Sequence, residues 1–204
     1  MATDPTVFVV DDDEDARDSV CVLVRSMGIP AEPFASAEEF LAGYVKGRPG
    51  CLVTDVRMLG MSGIELQEEL IQRNISLPVI VLTAYARTRV TVRVMAAGAV
   101  TLLEKPYDED ELWDAIRKAL ARDAQRWEGV QRQREVRSRV DQLTPGERAV
   151  MDLIVQGQPN KTIARKLEIS VRAVENRRSA IFTKMQADSV AELVRLVIDA
   201  KLDD

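Results

Sequence analysis

The feature that most limits how this 204-residue chain can fold is an alternation that runs from its start to about residue 121. Short apolar runs recur between segments whose apolar residues have helical spacing. The runs are TVFVV, CLVTD, PVIVLT and AVTLLE, with a weaker one near PAEPF. Continuous apolar runs of this length are typical of strands buried on both faces, as in parallel sheets covered by helices. Five alternating units therefore predict a doubly wound α/β domain with a parallel sheet.

The chain beyond residue 121 follows a different pattern. Helical spacing begins at about Asp108 and continues without Gly or Pro until Gly129. Asp123 interrupts an otherwise apolar seven-residue spacing in this stretch. One interpretation is therefore a linker helix with a short, imperfect coiled-coil seam, and the other is a solvated helix with one face against the first domain. The seam residues are Trp113, Ile116, Leu120, Trp127 and Val130.

A third segment begins at LTPGERAVMDLI, where Thr144 as N-cap, Pro145 as first helical residue and Glu147 as third form a strong helix start. Further helical patterns follow and predict an all-α unit. The predicted bounds are 5–121 for the first domain, 122–142 for a helical linker and 143–204 for the second domain.

The sequence contains no histidine, which excludes several kinds of site. Nucleophiles activated by histidine, zinc sites with histidine ligands and a phosphohistidine relay within the chain are all ruled out. Cys21 and Cys51 are too few for a disulfide framework, and their apolar surroundings predict reduced, buried thiols. No apolar run approaches the roughly 20 residues of a membrane span, and the acidic start MATDPT lacks the features of a secretory signal. We expect a cytoplasmic protein without a membrane partner.

Charge is distributed unevenly along the chain. Residues 1–122 carry 20 acidic and 13 basic side chains, whereas residues 143–204 carry 9 and 10. Within the last part, residues 161–184 carry seven basic and two acidic side chains, a local net charge of +5. A confined basic patch on an otherwise acidic protein indicates a contact with nucleic acid. The alternative is a solvated helix face.

Acidic, hydroxyl and ammonium side chains follow the ends of the predicted strands. Asp11 and Asp12 end the first strand, Asp55 the third and Thr83 the fourth, and Lys105 follows the fifth. In open α/β sheets, sites form beyond the carboxyl ends of the strands. Like charges this close repel one another unless a cation compensates, and oxygen ligands suit Mg²⁺. The alternative is that the acids after the first strand only cap the next helix and that Asp55 lies in a turn.

Residues 5–121 resemble a response-regulator receiver domain, because VVDDDED, LVTDVRMLGMSG, VIVLTAY and LLEKPYD match its motifs in order. The resemblance implies a (βα)5 fold with strand order 2-1-3-4-5. It also implies that Asp55 accepts a phosphoryl group from a sensor histidine kinase. The implied ligands of Mg²⁺ are Asp11, Asp12, Asp55 and the backbone carbonyl of Arg57. Thr83 and Lys105 would each bind a phosphoryl oxygen, and the inward movement of Thr83 would change the face formed by about residues 86–103.

Two residues depart from the family pattern. Leu59 stands where proline is usual, so we expect the loop after Asp55 to lose rigidity. Leu102 stands three residues before Lys105, where the family usually has Tyr or Phe, so the aromatic switch is replaced by Leu102 itself or involves Tyr85 or Tyr107.

Residues 143–202 resemble the helix-turn-helix domain of FixJ-, NarL- and LuxR-type regulators, across LTPGERAVMDLIVQGQPNKTIARKLEISVRAVENRRSAIFTKM and SVAELVRL. The domain order and the VENRR sequence suit the FixJ-like, styrene-response-type branch, although Gly146 departs from the usual Leu-Thr-x-Arg-Glu start. The resemblance implies four helices, of which the one over 171–185 enters the major groove. Its spacing predicts Ser170 as N-cap and a buried side formed by Val174, Ile181 and Met185.

The expected DNA contacts come from the exposed side of that helix and from the helix before it. We expect contacts with bases from Glu175, Asn176, Arg178 and Ser179, contacts with phosphates from Lys161, Thr162, Arg172 and Lys184, and either kind from Arg177.

These features predict a transcription regulator that is controlled by phosphorylation and is not an enzyme. The expected partners are the sensor kinase, promoter DNA, RNA polymerase and, on phosphorylation, a second copy of the chain. One alternative is a HAD-like phosphohydrolase using Asp11 and Asp13, which would leave Asp55 and the C-terminal third without a purpose. The other is a scaffold without DNA binding, which the basic patch disfavours.

Overall fold

A computed structural model of the chain describes residues 4–201, and in it the sequence alternation becomes a parallel sheet. The predicted end of the second domain, 202–204, lies outside the described residues. The strands are β1 (Thr6–Val10), β2 (Ala31–Phe34), β3 (Gly50–Asp55), β4 (Val79–Thr83) and β5 (Thr101–Glu104). Their order is β2-β1-β3-β4-β5, with every neighbouring pair parallel. The predicted fold class is confirmed.

The helices between and after the strands cover both faces of the sheet. They are α1 (Glu14–Ser26), α2 (Ala37–Gly43), α3 (Gly63–Gln72), α4 (Thr88–Ala96) and the long α5 (Glu109–Asp141). Alternate residues of each central strand point to opposite sides, so Phe8 and Leu52 pack with α2, α3 and α4, whereas Val7 and Val53 pack with α1 and α5. Burial on both faces explains why the strand sequences are apolar throughout.

The described chain divides into two compact units after Trp127. The second unit contains the end of α5, followed by α6 (Pro145–Val155), α7 (Asn160–Lys166), α8 (Val171–Met185) and α9 (Val190–Lys201). Val136 and Val140 of α5 are buried in the core of this unit together with side chains of α6 to α9. Arg139 also donates to the carbonyl of Met185 at the end of α8, at 3.2 Å. None of the helices within residues 4–201 is long and apolar enough to cross a membrane.

The first part of α5 packs on its own sheet rather than presenting a free seam. Ile116 is fully buried among residues of β1, β3 and β4, and Trp113 and Leu120 pack against the same cluster. Asp123, which breaks the apolar spacing, is only 2% exposed and accepts a hydrogen bond from the Gly50 amide. For these residues, the interpretation that agrees with the structure is a helix with one face against the first domain.

Candidate functional site

The register of the sheet brings two carboxylates to the same edge. Val10 of β1 pairs with Thr54 of β3, so the next residues, Asp11 and Asp55, lie at the same level. Both side chains are largely buried, with 4% of Asp11 and 9% of Asp55 exposed. Two buried carboxylates side by side require a positive partner, since the cost of burying unpaired charge is several kcal/mol per ion.

That partner is Lys105, which follows β5. Its Nζ lies 2.8 Å from Asp11 Oδ2 and 2.7 Å from Asp55 Oδ1, so that one ammonium bridges both carboxylates. Its backbone amide donates to the carbonyl of Thr83 at 2.7 Å, which extends the ladder between β4 and β5 by one residue. Burial lowers the pKa of Lys105, but the hydrogen bonds from its ammonium to Asp11 and Asp55 outweigh this effect, and the pKa lies above its usual value. Lys105 is therefore a cation at neutral pH.

The backbone around Asp55 leaves little freedom for its carboxylate. The amide of Arg57 donates to Asp55 Oδ2 at 2.5 Å. Gly63, the first residue of α3, lies so close that a Cβ there would be 2.1 Å from the carbonyl oxygen of Asp55. A side chain at Gly63 would displace the chain that carries Asp55, so this glycine is required by close approach.

Thr83 ends β4 next to this group, with 2% of the residue exposed. Its hydroxyl accepts a hydrogen bond from the Tyr85 amide at 3.2 Å and donates to the Tyr85 carbonyl at 3.3 Å. The hydroxyl is thus bonded to its own loop. The guanidinium of Arg57 lies 4.8 Å from the centre of the Tyr85 ring, so these two residues stack beside the site.

Asp12 is placed differently from Asp11. It is exposed, and its Oδ2 accepts a hydrogen bond from the Leu59 amide at 2.9 Å. Within residues 4–201, no group of three or more Asp, Glu or Cys side chains is gathered as a metal-binding cluster. The donor chemistry nevertheless fits Mg²⁺, because one ammonium leaves two buried carboxylates with excess negative charge and the available ligands are oxygens.

The two departures from the family pattern have visible outcomes. Leu59 gives the loop after Asp55 a backbone N–H, which a proline lacks, and this N–H is bonded to Asp12. Leu102 is half-buried and packs with the cluster on the α4 side of the sheet. Tyr107 packs with the cluster on the opposite side, and Tyr85 is 60% exposed.

The expected DNA-binding segment forms two helices joined by a short turn. Ser170 accepts a hydrogen bond from the Ala173 amide, which confirms the predicted N-cap of α8. Val174, Ile181 and Met185 are buried, as the spacing predicted. Of the expected contact residues, some are exposed and others half-buried. The exposed ones are Lys161, Arg172, Glu175, Asn176 and Ser179, and the half-buried ones are Thr162, Arg177, Arg178 and Lys184.

Three of these basic side chains are engaged within their own unit. Lys184 Nζ lies 2.7 Å from Glu147 Oε2 and 3.3 Å from the Gln142 carbonyl. The guanidinium of Arg177 covers Gly146, where a Cβ would lie 3.0–3.2 Å from it. Arg178 lies over the Phe182 ring, 5.6 Å from its centre. The Lys184–Glu147 pair spans 37 residues of sequence, and no local pattern could have indicated it.

Glu147 also completes the capping box of α6. The Glu147 carboxylate accepts a hydrogen bond from the Thr144 amide, and the Thr144 hydroxyl accepts one from the Glu147 amide. The hydrogen bond from Lys184 and that from Thr144 lower the pKa of Glu147. A carboxyl whose pKa is lower in the folded state stabilises the fold above its unfolded pKa, and this stability is lost as the pH falls through the folded value.

We therefore predict a pH-dependent cost of Glu147→Gln. At pH 7 the variant should be less stable than the wild type by about 1 kcal/mol, the value of a favourable, partly exposed ion pair. The difference should shrink as the pH falls through the lowered pKa of Glu147, since the carboxyl is then protonated in the folded state and the ion pair is lost. Calorimetric melting of the full chain between pH 7 and pH 3 measures this difference in stability. The control is Glu175→Gln, at an exposed position of α8. A difference that stays constant over this range would contradict the ion pair.

Comparison with known proteins agrees with the two units. Residues 7–117 match the response regulator receiver domain, and residues 141–197 match the luxR family of bacterial regulatory proteins. The transcriptional regulatory protein FixJ of Azorhizobium caulinodans is 41% identical over 192 residues, which are 94% of this chain and 91% of that protein. Nodulation protein W of Bradyrhizobium diazoefficiens is 39% identical over 96% of this chain and 86% of its own length.

Among solved structures, the low-resolution structure of the response regulator StyR is 41% identical, with a TM-score of 0.86 over 96% of this chain and 99% of that one. The matched relatives cover both units, and the range that matches the receiver domain, 7–117, spans the positions of Asp55, Thr83 and Lys105. The chain therefore belongs to the FixJ-like transcriptional response regulators of two-component systems, which join a receiver domain to a LuxR-type DNA-binding domain.

Proposed function

We propose that Asp55 is the phosphoacceptor and that its phosphorylation controls dimerisation and promoter binding. The observation that carries this proposal is the Lys105 ammonium held between the carboxylates of Asp11 and Asp55. An Asp55 oxygen attacks phosphorus, an acyl phosphate bond forms, and the bond from phosphorus to the histidine of the sensor kinase breaks. Lys105 supplies positive charge to the oxygens of the transferred group.

A magnesium ion completes the site in this proposal. Asp11, Asp12, Asp55 and the backbone carbonyl of Arg57 would hold it, and when bound it neutralises negative charge on the phosphoryl oxygens. Lys105 remains a cation over the physiological pH range because of its raised pKa. Lys105 thus acts as an ammonium.

Thr83 provides the link between the phosphoryl group and the rest of the receiver. Its hydroxyl is bonded to the Tyr85 backbone, and we propose that it turns to a phosphoryl oxygen once Asp55 is modified. The loop that carries Tyr85 leads into α4, whose exposed side includes Val92 and Met95. We propose that this side of α4 and the adjoining β5 form the contact between two phosphorylated chains.

In the second unit, we propose that α8 enters the major groove of promoter DNA. Its exposed residues Glu175, Asn176 and Ser179 would meet base edges, while Lys161, Thr162 and Arg172 would meet phosphates. Arg177, Arg178 and Lys184 are the less direct candidates, because each has a partner within the unit. We further propose that the dimer acts in the cytoplasm, with RNA polymerase as its partner at the promoter.

The test is the affinity for promoter DNA and the mass of the protein in solution, each with and without Mg²⁺ and beryllofluoride, a stable phosphoryl mimic. We expect beryllofluoride to convert monomer to dimer in sedimentation. It should also tighten DNA binding at least about 10-fold, since one dimer then holds both half-sites of the promoter. Asn176→Ala should weaken specific binding by roughly 1–3 kcal/mol in both states while leaving the dimer intact. Equal affinities with and without beryllofluoride would refute control by Asp55.

A further inference from the structure

The loop between β3 and α3 directs alternate backbone N–H groups at carboxylates. Three of these N–H groups donate hydrogen bonds, each to a carboxylate from a different part of the receiver. The loop is thereby bonded to the end of β3, to the turn after β1 and to α2. The pairs are Arg57 N with Asp55 Oδ2 at 2.5 Å, Leu59 N with Asp12 Oδ2 at 2.9 Å and Met61 N with Glu38 Oε1 at 3.0 Å.

Amide donation of this kind favours the charged form of a carboxyl group. The pKa of Glu38 is lowered by its own backbone amide and by that of Met61. An amide dipole is also fixed by the backbone, so it sets the direction of the carboxylate as well as its charge. The Leu59 amide meets Asp12 Oδ2 at 2.9 Å and so sets the direction of that carboxylate in the same way.

The contribution of Leu59 comes from its backbone. Its side chain points away from the protein, since the residue is 83% exposed. Its N–H is the group that meets Asp12. A carboxylate offers about four acceptor positions, so the bond to Oδ2 leaves Oδ1 and part of Oδ2 for a cation and its waters.

We propose that Leu59 is a positioning residue for magnesium, whose backbone N–H holds the Asp12 carboxylate in the orientation that binds the ion. The inference rests on the proposed function, since it concerns the same metal site. Without the N–H, the exposed Asp12 side chain must lose rotational freedom when the ion binds, and that cost lowers affinity. The residue thus acts on the ion through Asp12 and not by direct contact.

The test is Mg²⁺ binding by isothermal titration calorimetry on the full chain, without phosphodonor. Leu59→Pro removes the N–H and should weaken Mg²⁺ binding about 10-fold, the lower end of what loss of a hydrogen bond to a metal ligand costs. Leu59→Ala keeps the N–H, so its affinity should stay within about twofold of the wild type. The N–H can also be removed without introducing a proline ring. In this third variant, leucic acid is incorporated at position 59, so that an ester replaces the peptide bond that carries the N–H.

The outcomes separate the positioning role from the proposed function. Wild-type affinity in the ester variant overturns the inference, even if Leu59→Pro is impaired by misfolding of the loop. Weakening in Leu59→Ala as large as in the ester variant also overturns it, because the side chain would then be responsible. If the wild type binds no Mg²⁺, both this inference and the metal site fail. If Mg²⁺ binding follows the expected order but Asp55 takes up no phosphoryl group, the positioning role stands and the proposed function falls.

Discussion

Asp55→Asn should reduce phosphoryl uptake from a small acyl phosphate such as acetyl phosphate by at least about 100-fold, because an amide cannot replace the attacking carboxylate. The fold should survive, since asparagine has the same shape and retains an oxygen that can accept from the Arg57 amide. Lys105 would keep Asp11 as a partner. Separation of phosphorylated from unmodified protein on a phosphate-affinity gel measures the effect.

The control for this variant is Asp13→Asn, in the same acidic run. Asp13 is the exposed N-cap of α1 and accepts from the Ala16 amide. Asparagine caps helices as well as aspartate does, so stability and phosphoryl uptake should both match the wild type. Full uptake in Asp55→Asn would mean that another acid accepts the group, and the proposed role of Asp55 would be wrong.

The sequence predicts the part of this site that depends on strand ends. An apolar strand followed by an acid or a hydroxyl can be recognised locally, and parallel strands then bring these residues to one edge. The convergence of Asp11, Asp55 and Lys105 follows from that rule. The helix starts at Thr144 and Ser170 follow in the same way, because capping depends on residues within one turn.

The contacts that the sequence does not predict join residues far apart in the chain. The bond from Leu59 to Asp12 spans 47 residues and that from Gly50 to Asp123 spans 73. Each depends on the register and packing of whole elements, which local spacing does not determine. The sequence also does not predict that the Thr83 hydroxyl is bonded to the Tyr85 backbone. A hydroxyl at a strand end can turn either to its own loop or to the carboxylates at the edge of the sheet.

Asp123→Ala should lower the free energy of unfolding of the first unit by about 3 kcal/mol, the second large effect that we expect. Asp123 Oδ2 accepts from the Gly50 amide at 2.8 Å, and Oδ1 accepts from Arg126 at 2.7 Å. Gly50 begins β3 at a φ of +151°, where a Cβ would lie 1.9 Å from the Thr6 carbonyl oxygen. Loss of the carboxylate leaves a buried N–H without an acceptor, at a cost of roughly 1–3 kcal/mol, and also removes a charged hydrogen bond.

Two variants divide this cost between its parts. Asp123→Asn retains an oxygen for the Gly50 amide, and Arg126→Ala retains the carboxylate, so each should cost only about 1 kcal/mol. Urea unfolding of the full chain followed by tryptophan fluorescence measures the first unit, because Trp113 and Trp127 are the two tryptophans and both lie in it. If Asp123→Ala and Asp123→Asn unfold at the same urea concentration, the Gly50 amide does not depend on Asp123. A large loss confined to Asp123→Ala would show that α5 holds the first residue of the strand whose last residue is Asp55.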